Sequence, residues 1–291
     1  MTGHTERNVN PSKLNRLQDE LQPGLLATTA WLTERGYYRQ LLNQYVSSGW
    51  LDSPAHGVYR RPGPPLKWEH VVASLDRLLD PPPHVGGLSA LELRGYAHFL
   101  KPRGPTVIHL YSDTKLPRWV SKLPVGERFV EHRNTLFERT GGTAGIAGLL
   151  GRDRTGEAHS TDALQQGLTK EPWGPWDWDL VYATPERAIL ELLDEVPKRE
   201  SVEHAALAMQ GLANLSSRRV LALLAACRSV KVKRLFLALA SRHRHHWVAP
   251  VVEAADRGQI DLGKGKRSLV PGGKLHPKYL ITLPEESDVR G

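Results

Sequence analysis

One stretch of polar side chains is spaced to form a single face of a helix and could contact the edges of nucleic-acid bases. Between residues 38 and 48 the apolar positions take one side of the predicted helix. The positions left for the exposed side are Arg39, Gln40, Asn43 and Ser47, with Gln44 at the border. Arginine can pair with guanine, and asparagine or glutamine with adenine, and a helix fits the major groove of DNA. The pattern favours a base-reading helix, and the alternative is a helix face that contacts only solvent.

A second group of polar and basic residues follows this helix. Tyr59, Arg60, Arg61 and Lys67 lie in a stretch that contains no acidic residue. Such a cluster suits phosphate contacts or insertion into the minor groove. We interpret it as the tip and flank of a DNA-binding wing, and the alternative is a basic patch without a ligand.

The positive charge of the chain is concentrated in its C-terminal third. The net charge is +8, and residues 201–291 contain 15 Lys and Arg against 7 Asp and Glu, whereas residues 1–200 contain 24 of each. This distribution favours a polyanion or protein contact in the last third, and a solubilising surface is the alternative. The candidate contact residues are Arg242, Arg244, Lys264, Lys266 and Arg267.

Metal binding and catalysis are not predicted. Arg242 and Arg244 alternate with histidines, and no cysteine or carboxylate accompanies them, so zinc binding is disfavoured. Dinucleotide-binding, P-loop, zinc-protease and hydrolase motifs are absent from the sequence. Asp177 and Asp179 have the spacing of a nucleotidyl-transfer site, but the Gly-Ser that should precede them is missing. The sequence therefore predicts no catalytic residue, no cofactor and no enzymatic activity.

The base-reading candidates lie in a series of short predicted elements. We expect helices at residues 11–21, 29–36, 38–48 and 68–79, a strand at 50–51, a turn at 52–57 and a returning strand at 58–61. Two short helices joined by a tight Gly-containing turn are typical of a helix-turn-helix, and the hairpin after them would be a wing.

The prolines at positions 81–83 mark the predicted domain boundary, so residues 1–82 form a winged helix-turn-helix domain and residues 83–291 a second domain. The expected fold class is α+β, with a larger mixed α/β, mostly helical second domain. Its predicted helices are at 88–94, from Pro185 onward, and at 202–214, 217–227, 230–242 and 246–257. Its predicted strands are at 106–111, 128–133, 267–270 and 278–283, and loops are expected at 140–167 and 171–179.

Cysteine usage and hydropathy indicate the compartment. Cys227 is the only cysteine and lies in an apolar run, which predicts a buried thiol in a reducing environment. The N-terminus has no apolar segment, and no run approaches the ~18 apolar residues of a membrane span. We expect a cytoplasmic protein without membrane contact.

Several short stretches resemble the AbiEi antitoxin family. Residues Leu26–Gly36, Gly49–Asp52 and Gly57–Arg61 resemble its N-terminal domain, and Val85–Leu91 and Ala183–Leu190 resemble two segments of its C-terminal domain. The resemblance implies a type IV toxin-antitoxin system of the kind linked to phage abortive infection. The winged helix would repress its own operon at inverted repeats in double-stranded DNA. The C-terminal domain would oppose a nucleotidyltransferase-like toxin without necessarily binding it.

Two other interpretations of the sequence stay open. One is a plain transcriptional regulator whose second domain senses a ligand through the tryptophan-rich stretch 171–179. The other is a cryptic nuclease or nucleotidyl enzyme. The adjacent gene distinguishes the antitoxin from the sensor. A neighbouring gene for a nucleotidyltransferase supports the antitoxin, and a neighbouring gene for a metabolic enzyme supports the sensor.

Overall fold

The computed structural model describes residues 13–96, 106–138 and 167–284. The chain divides into two compact units. The first unit is Met1–Leu78 together with Pro117–Gly126, and the second is Leu79–Leu116 together with Glu127–Gly291. The sequence predicted one boundary between residues 82 and 83, whereas the structure divides the chain after Leu78 and assigns a later segment to the first unit.

The first unit contains four α-helices, one 3-10 helix (Val120–Lys122) and three short strands in its described part. The side chain of Thr28 accepts a 3.2 Å hydrogen bond from the amide of Trp31, which caps the second helix. The third helix ends before Gly49, which adopts a left-handed φ of 74°. In chain order the elements are α1 (Lys13–Glu20), β1 (Leu26–Thr28), α2 (Thr29–Glu34), α3 (Arg39–Ser47), β2 (Asp52–Ala55), β3 (Val58–Arg60) and α4 (Trp68–Leu78).

The three strands form an antiparallel sheet in the order β1-β3-β2. Two sequence predictions for this region are wrong. The amides of Trp50 and Leu51 both bond the carbonyl of Tyr45, at 2.9 and 3.1 Å, so these residues close the end of α3 instead of forming a strand. The predicted turn at 52–57 is mostly strand β2, and the actual turn is His56 and Gly57. Strand β1 was not predicted, because three residues leading into a helix cap give no alternating pattern.

The second unit is mixed α/β. Its main sheet has the strand order β6-β5-β4-β8-β7; the β4–β8 and β5–β6 pairs are parallel and the other two pairs antiparallel. The strands are β4 (His84–Val85), β5 (Val107–Ser112), β6 (Arg128–Arg133), β7 (Leu168–Trp173) and β8 (Trp178–Ala183). The predicted strands at 106–111 and 128–133 are confirmed as β5 and β6. The expected loop at 171–179 is wrong, because most of it belongs to the hairpin β7–β8, and the expected loop at 140–167 lies almost wholly outside the described residues.

The predicted helices of the second unit are confirmed to within about three residues at each end. They are α5 (Gly87–Leu93), α6 (Pro185–Glu195), α7 (Val202–Gly211), α8 (Ser217–Ala226), α9 (Val230–Ala240) and α10 (Val248–Asp256). Helices α6 and α9 supply the most deeply buried residues of the core. Cys227 is buried there as predicted, and burial raises the pKa of its thiol.

A small sheet lies near the C-terminus of the described chain. It pairs β9 (Lys274–Leu275) with β10 (Thr282–Leu283). The predicted strand at 267–270 is reduced to one bridge between Arg267 and Ile281, and that at 278–283 to the last two residues. None of the described helices has the length and apolar character needed to cross a membrane.

Candidate nucleic-acid interface

A groove of about 590 Å³ separates helix α3 from the hairpin β2–β3 in the first unit. Polar side chains from both elements line it. They are Arg39, Asn43 and Ser47 from α3, Ser53, His56 and Tyr59 from the hairpin and its turn, and Thr29 from the start of α2.

The exposed face of α3 holds all five residues that the sequence proposed for base contacts. Leu42 and Tyr45 are buried, and the five polar residues are exposed. Three of them follow one another at i, i+4 and i+8 and therefore form a single stripe along the groove. These are Arg39, Asn43 and Ser47, while Gln40 and Gln44 lie on the neighbouring stripe and do not line it.

The end of the hairpin consists of His56 and Gly57. Gly57 has a left-handed φ of 72°, and its carbonyl accepts hydrogen bonds from Thr29, at 2.9 Å from the amide and 3.2 Å from the hydroxyl. The hairpin is thereby tied to the start of α2, and His56 is exposed beside the groove. Sequence reasoning missed His56, although a residue before glycine in a two-residue turn is a signal for a hairpin tip.

Arg60 and Arg61 are not at the tip of the hairpin, and this corrects the sequence interpretation. The guanidinium of Arg60 lies 3.3 Å from the carboxylate of Asp52 and donates a 2.8 Å hydrogen bond to the carbonyl of Pro64, and its side chain is only 13% exposed. Arg61 donates to the carbonyl of Gln18 at 3.1 Å. Both cations therefore lie at the base of the hairpin, where each donates to a main-chain carbonyl of the protein.

The other two members of that cluster differ from each other. Tyr59 is 8% exposed, yet its side chain forms part of the groove wall. Lys67 is exposed at the start of α4 and does not line the groove. The cluster that the sequence grouped as one basic wing is therefore divided between a groove, a hairpin base and a separate surface.

The second unit contains a row of four stacked rings that sequence reasoning did not find. Ring centroids are 5.4 Å apart for His84 and Tyr111, 4.6 Å for Tyr111 and His132, and 5.0 Å for His132 and His109. The rings come from strands β4, β5 and β6. No local sequence pattern could reveal the row, because its members are brought together only by strand pairing.

Helix α6 places charged residues against this row. Arg187, Glu191 and Glu195 follow one another at intervals of four, which puts them on one face of the helix. Arg199 lies in the turn after the helix, with Nη1 3.3 Å from the Glu195 carboxylate. Nε of Arg187 lies 2.7 Å from Glu191, and the amide of Gly87 donates to the same carboxylate at 3.0 Å. The spacing of these four charges is the one signal in the sequence that could have indicated the network.

The titration of Glu191 reflects these partners. Burial alone would raise its pKa, but the charge of Arg187 and the hydrogen bonds from His84 and Arg187 lower the pKa to about 2. Burial lowers the pKa of His84 although Glu191 opposes this, so the histidine is uncharged and donates its one ring proton to the carboxylate.

The other end of the row opens on a cavity of about 490 Å³. Nδ1 of His132 lies 2.9 Å from Glu195, and Nε2 of His132 lies 2.8 Å from Nδ1 of His109. Burial and the charge of His132 lower the pKa of His109 to about 4. His109 lines the cavity with Glu92, Arg128, Arg199 and Glu200. The neutral imidazole of His109 can accept or donate one hydrogen bond to a molecule in the cavity.

The candidate cations of the C-terminal third are all exposed. Lys264, Lys266 and Arg267 lie together in one loop. Arg242 lines a separate cavity of about 420 Å³ with Lys274 and His276, which the sequence did not single out, and Arg244 does not line it. Among the described residues no group of three or more His, Cys, Asp and Glu is arranged to hold a metal ion.

Comparison with known proteins covers almost the whole chain. Residues 105–284 match the family model described as transcriptional regulator, AbiEi antitoxin, type IV TA system, and residues 10–102 match the AbiEi antitoxin N-terminal domain. The chain also resembles the crystal structure of the RV2827C protein from Mycobacterium tuberculosis, with a TM-score of 0.53, 14% identity, and coverage of 92% of this chain and 88% of that one. That likeness concerns the fold alone. No curated protein matches the chain. The two family matches together show that the chain belongs to the AbiEi antitoxin family of transcriptional regulators of type IV toxin-antitoxin systems.

Proposed function

We propose that the first unit is a winged helix-turn-helix that binds operator DNA and represses the operon of this protein, while the second unit counteracts a nucleotidyltransferase-like toxin. The observation that carries the DNA-binding part is the groove between α3 and the hairpin β2–β3. Family membership supports the regulatory and antitoxin roles in general terms.

The arrangement of the first unit supports this assignment. Helices α2 and α3 follow each other across the turn at Gly36, and the antiparallel hairpin β2–β3 comes directly after α3. In a helix-turn-helix the second helix enters the major groove. The hairpin then takes the position of the wing, with His56 at its tip.

The residues of α3 have distinct proposed roles. Arg39 and Asn43 contact base edges, Ser47 contacts a base or a phosphate, and Gln40 and Gln44 contact the adjacent wall of the major groove. Tyr59 and His56 border the groove on the wing side, and Lys67 contacts a phosphate outside it. No contact with DNA is proposed for Arg60 and Arg61, because both lie at the base of the hairpin and bond to main-chain carbonyls of the protein.

A gel-shift titration with the DNA upstream of the gene tests this proposal. Arg39→Ala and Asn43→Ala are each expected to weaken operator binding by about 1–3 kcal/mol with little loss on random DNA. Arg16→Ala is a matched control, because it also removes one cation and its partner Glu20 lies on α1, which does not line the groove. A loss in Arg16→Ala as large as the loss in the two α3 variants would show that the effect is not specific to the groove and would remove the base-reading assignment.

We further propose that two copies occupy an inverted repeat. One helix-turn-helix reads too few base pairs for tight selection, and two half-sites one helical turn apart supply the rest. Footprinting should show paired protected half-sites, and a single protected half-site would contradict this arrangement.

The proposed antitoxin role is tested in cells. Co-expression of the full chain with the product of the neighbouring gene should restore growth, and the Arg39→Ala, Asn43→Ala double variant should still restore it, since repression and toxin antagonism are assigned to different units. The proposal needs no stable complex between the two proteins. The cytoplasm is the proposed location because the operator DNA is there.

A ligand-sensing regulator is the second candidate, and one observation favours it. The cavity beside His109 combines apolar walls with charged groups, as small-molecule sites do. The tryptophan-rich stretch no longer supports this candidate, because Trp173 packs on Trp178 within a hairpin. A metabolite screen by thermal shift, with His109→Asn as the control, separates the sensor from the antitoxin.

A further inference from the structure

The loop Gly263–Arg267 is held from beneath by a buried arginine. Arg234 is 2% exposed, and its guanidinium donates hydrogen bonds only to main-chain carbonyls among the described residues. The acceptors and distances are Leu262 at 2.7 Å, Gly263 at 3.1 Å, Gly265 at 2.6 Å and Leu280 at 3.1 Å.

These bonds fix the direction of the loop amides. In a planar trans peptide the N–H group points opposite to the C=O group of the preceding residue. Because the carbonyls of Gly263 and Gly265 point at Arg234, the amides of Lys264 and Lys266 point away from it, toward solvent. Neither amide donates a hydrogen bond within the described part of the chain.

The preceding peptide shows what kind of acceptor such an amide binds. The carbonyl of Leu262 also points at Arg234, and the amide of Gly263 donates a 2.8 Å hydrogen bond to the carboxylate of Asp261. An anionic oxygen therefore occupies the first amide of the row. The next two alternate amides present the same geometry without an oxygen from the described residues.

The backbone of this site is constrained at several points. Gly263 and Gly265 have left-handed φ values of 62° and 77°, which glycine adopts without strain. Leu280 has a left-handed φ of 51°, which costs free energy in a residue with a side chain. Its carbonyl accepts from both the Arg234 guanidinium and the Arg267 amide, at 3.1 and 2.8 Å, so these donors hold the strained conformation.

The charge of this region is poorly neutralised. From residue 257 to residue 284 the chain contains six Lys and Arg and a single acid, Asp261. Two of these cations, Arg257 and Lys278, pair with Glu253 and Asp256 on α10. Within the described residues, Arg234, Lys264, Lys266 and Arg267 form no ion pair. Burial and the charge of Arg267 lower the pKa of Arg234.

Basic residues continue across the small C-terminal sheet. The carbonyl of Arg267 accepts from the amide of Thr282 on one side of β10, and β9 with Lys274 pairs on the other side. Two strand spacings, about 10 Å, therefore separate the Arg267 and Lys274 backbones. Lys274 lines a cavity together with Arg242 and His276. An extended row of cations suits a ligand with repeated negative charges.

We propose that the loop Gly263–Arg267 binds phosphodiester groups of a single nucleic-acid strand, with the outward amides of Lys264 and Lys266 and the side chains of Lys264, Lys266 and Arg267 as donors. Arg234 is the positioning residue. Main-chain amides in a glycine-rich loop beside cations are a recurrent way to hold phosphate oxygens. The inference does not depend on toxin antagonism, because it concerns only what this loop binds.

Fluorescence anisotropy with the full chain tests the proposal. The chain carries Arg39→Ala and Asn43→Ala to weaken binding at the α3 groove, and the probes are a labelled twelve-nucleotide oligouridylate RNA and an oligothymidylate DNA of equal length. In this background, Lys264→Ala with Lys266→Ala should weaken binding of both probes by about tenfold and reduce the salt slope by about 0.7 for each lost contact. A similar affinity for RNA and DNA is expected, because the phosphate is common to both, and a preference for one of them identifies the source of the strand.

Two further variants distinguish binding that depends on the conformation of the loop from binding that depends only on net charge. Gly265→Ala keeps every charge but strains the loop, and it should weaken binding by about threefold to tenfold. Lys198→Ala with Arg218→Ala removes two exposed cations from elsewhere in the second unit and should change affinity less than twofold. Thermal unfolding of each variant shows that the chain is folded. Unchanged binding in Gly265→Ala together with equal losses in the two double variants would overturn the proposal, and so would the absence of binding to either probe.

Discussion

The Nε2 atom of His84 donates a 2.8 Å hydrogen bond to Oε1 of Glu191, and each of the two side chains is about 1% exposed. The bond joins strand β4 to helix α6 across 107 positions of the sequence. Because Nε of Arg187 lies 2.7 Å from the same oxygen, the carboxylate remains ionised in a buried position. This interaction links the main sheet of the second unit to the helix that packs on it.

Glu191→Gln should destabilise the chain strongly. The substitution leaves the guanidinium of Arg187 without its carboxylate, and removing one partner of a buried ion pair costs about 3–5 kcal/mol. Urea denaturation, followed by circular dichroism, measures the free energy of unfolding. Glu203→Gln, on the exposed face of α7, is the control and should change it by less than about 0.5 kcal/mol. Similar values for both variants would show that the buried carboxylate contributes little.

Acid should destabilise the second unit below about pH 6.5. The pKa of His109 is lowered from 6.5 to about 4, so the unfolded chain binds a proton in this interval and the folded chain does not. Stability is therefore fully present above pH 6.5 and falls as the pH decreases toward 4, by up to about 3 kcal/mol from this residue. Unfolding free energies at pH 7, 5.5 and 4.5 measure the slope. His109→Asn should flatten it, and an unchanged slope in that variant would contradict the assignment.

The two halves of the groove were predictable to different degrees. The exposed face of α3 follows from periodicity, because Leu42 and Tyr45 fix which side of the helix is buried. The wing does not, because residues 52–55 were predicted as part of the turn, whereas they form a strand whose Asp52 pairs with Arg60 and so places Arg60 and Arg61 at the base of the hairpin. Tyr59 was a candidate from the sequence, but its position in the groove wall depends on the pairing of β3 and needed the structure.

The histidine network of the second unit shows more clearly what the sequence alone does not predict. His84, His109 and His132 lie on three different strands and meet only through sheet pairing. By contrast, the helices α7 to α10 were predicted to within about three residues, since apolar periodicity and capping serines such as Ser201 and Ser229 are local signals. Local patterns thus specify elements, whereas sites built across elements need the structure.

Arg60→Ala should act on stability and not on base recognition. Its guanidinium bonds the carbonyl of Pro64 and the carboxylate of Asp52, so its removal should cost about 1–2 kcal/mol of folding free energy in the first unit. Gel shifts below the unfolding temperature should show equal, small losses on operator and random DNA. Arg39→Ala is expected to show the opposite pattern, with a selective loss on operator and unchanged thermal unfolding. A selective operator loss in Arg60→Ala would restore this residue to the interface.

The two proposed activities should be separable in fragments, with one structural complication. Residues 84–291 should fold and restore growth in cells that express the toxin, and residues 1–82 should bind operator DNA without restoring growth.

The complication is the segment Pro117–Gly126, which belongs to the first unit although it lies far along the chain. Its Val120 and Leu123 are 4% and 8% exposed, so a fragment that ends at residue 82 lacks two buried side chains. Loss of such groups costs roughly 1–3 kcal/mol each. The N-terminal fragment should therefore unfold at a lower temperature than the same unit in the full chain, and adding a peptide of residues 115–128 in excess should raise that temperature. Circular dichroism melts of the fragment with and without the peptide, and with a Val120→Asp peptide as the control, measure this effect. If the C-terminal fragment is folded yet gives no rescue, the antitoxin role of the second unit fails and the ligand-sensing regulator becomes the better account.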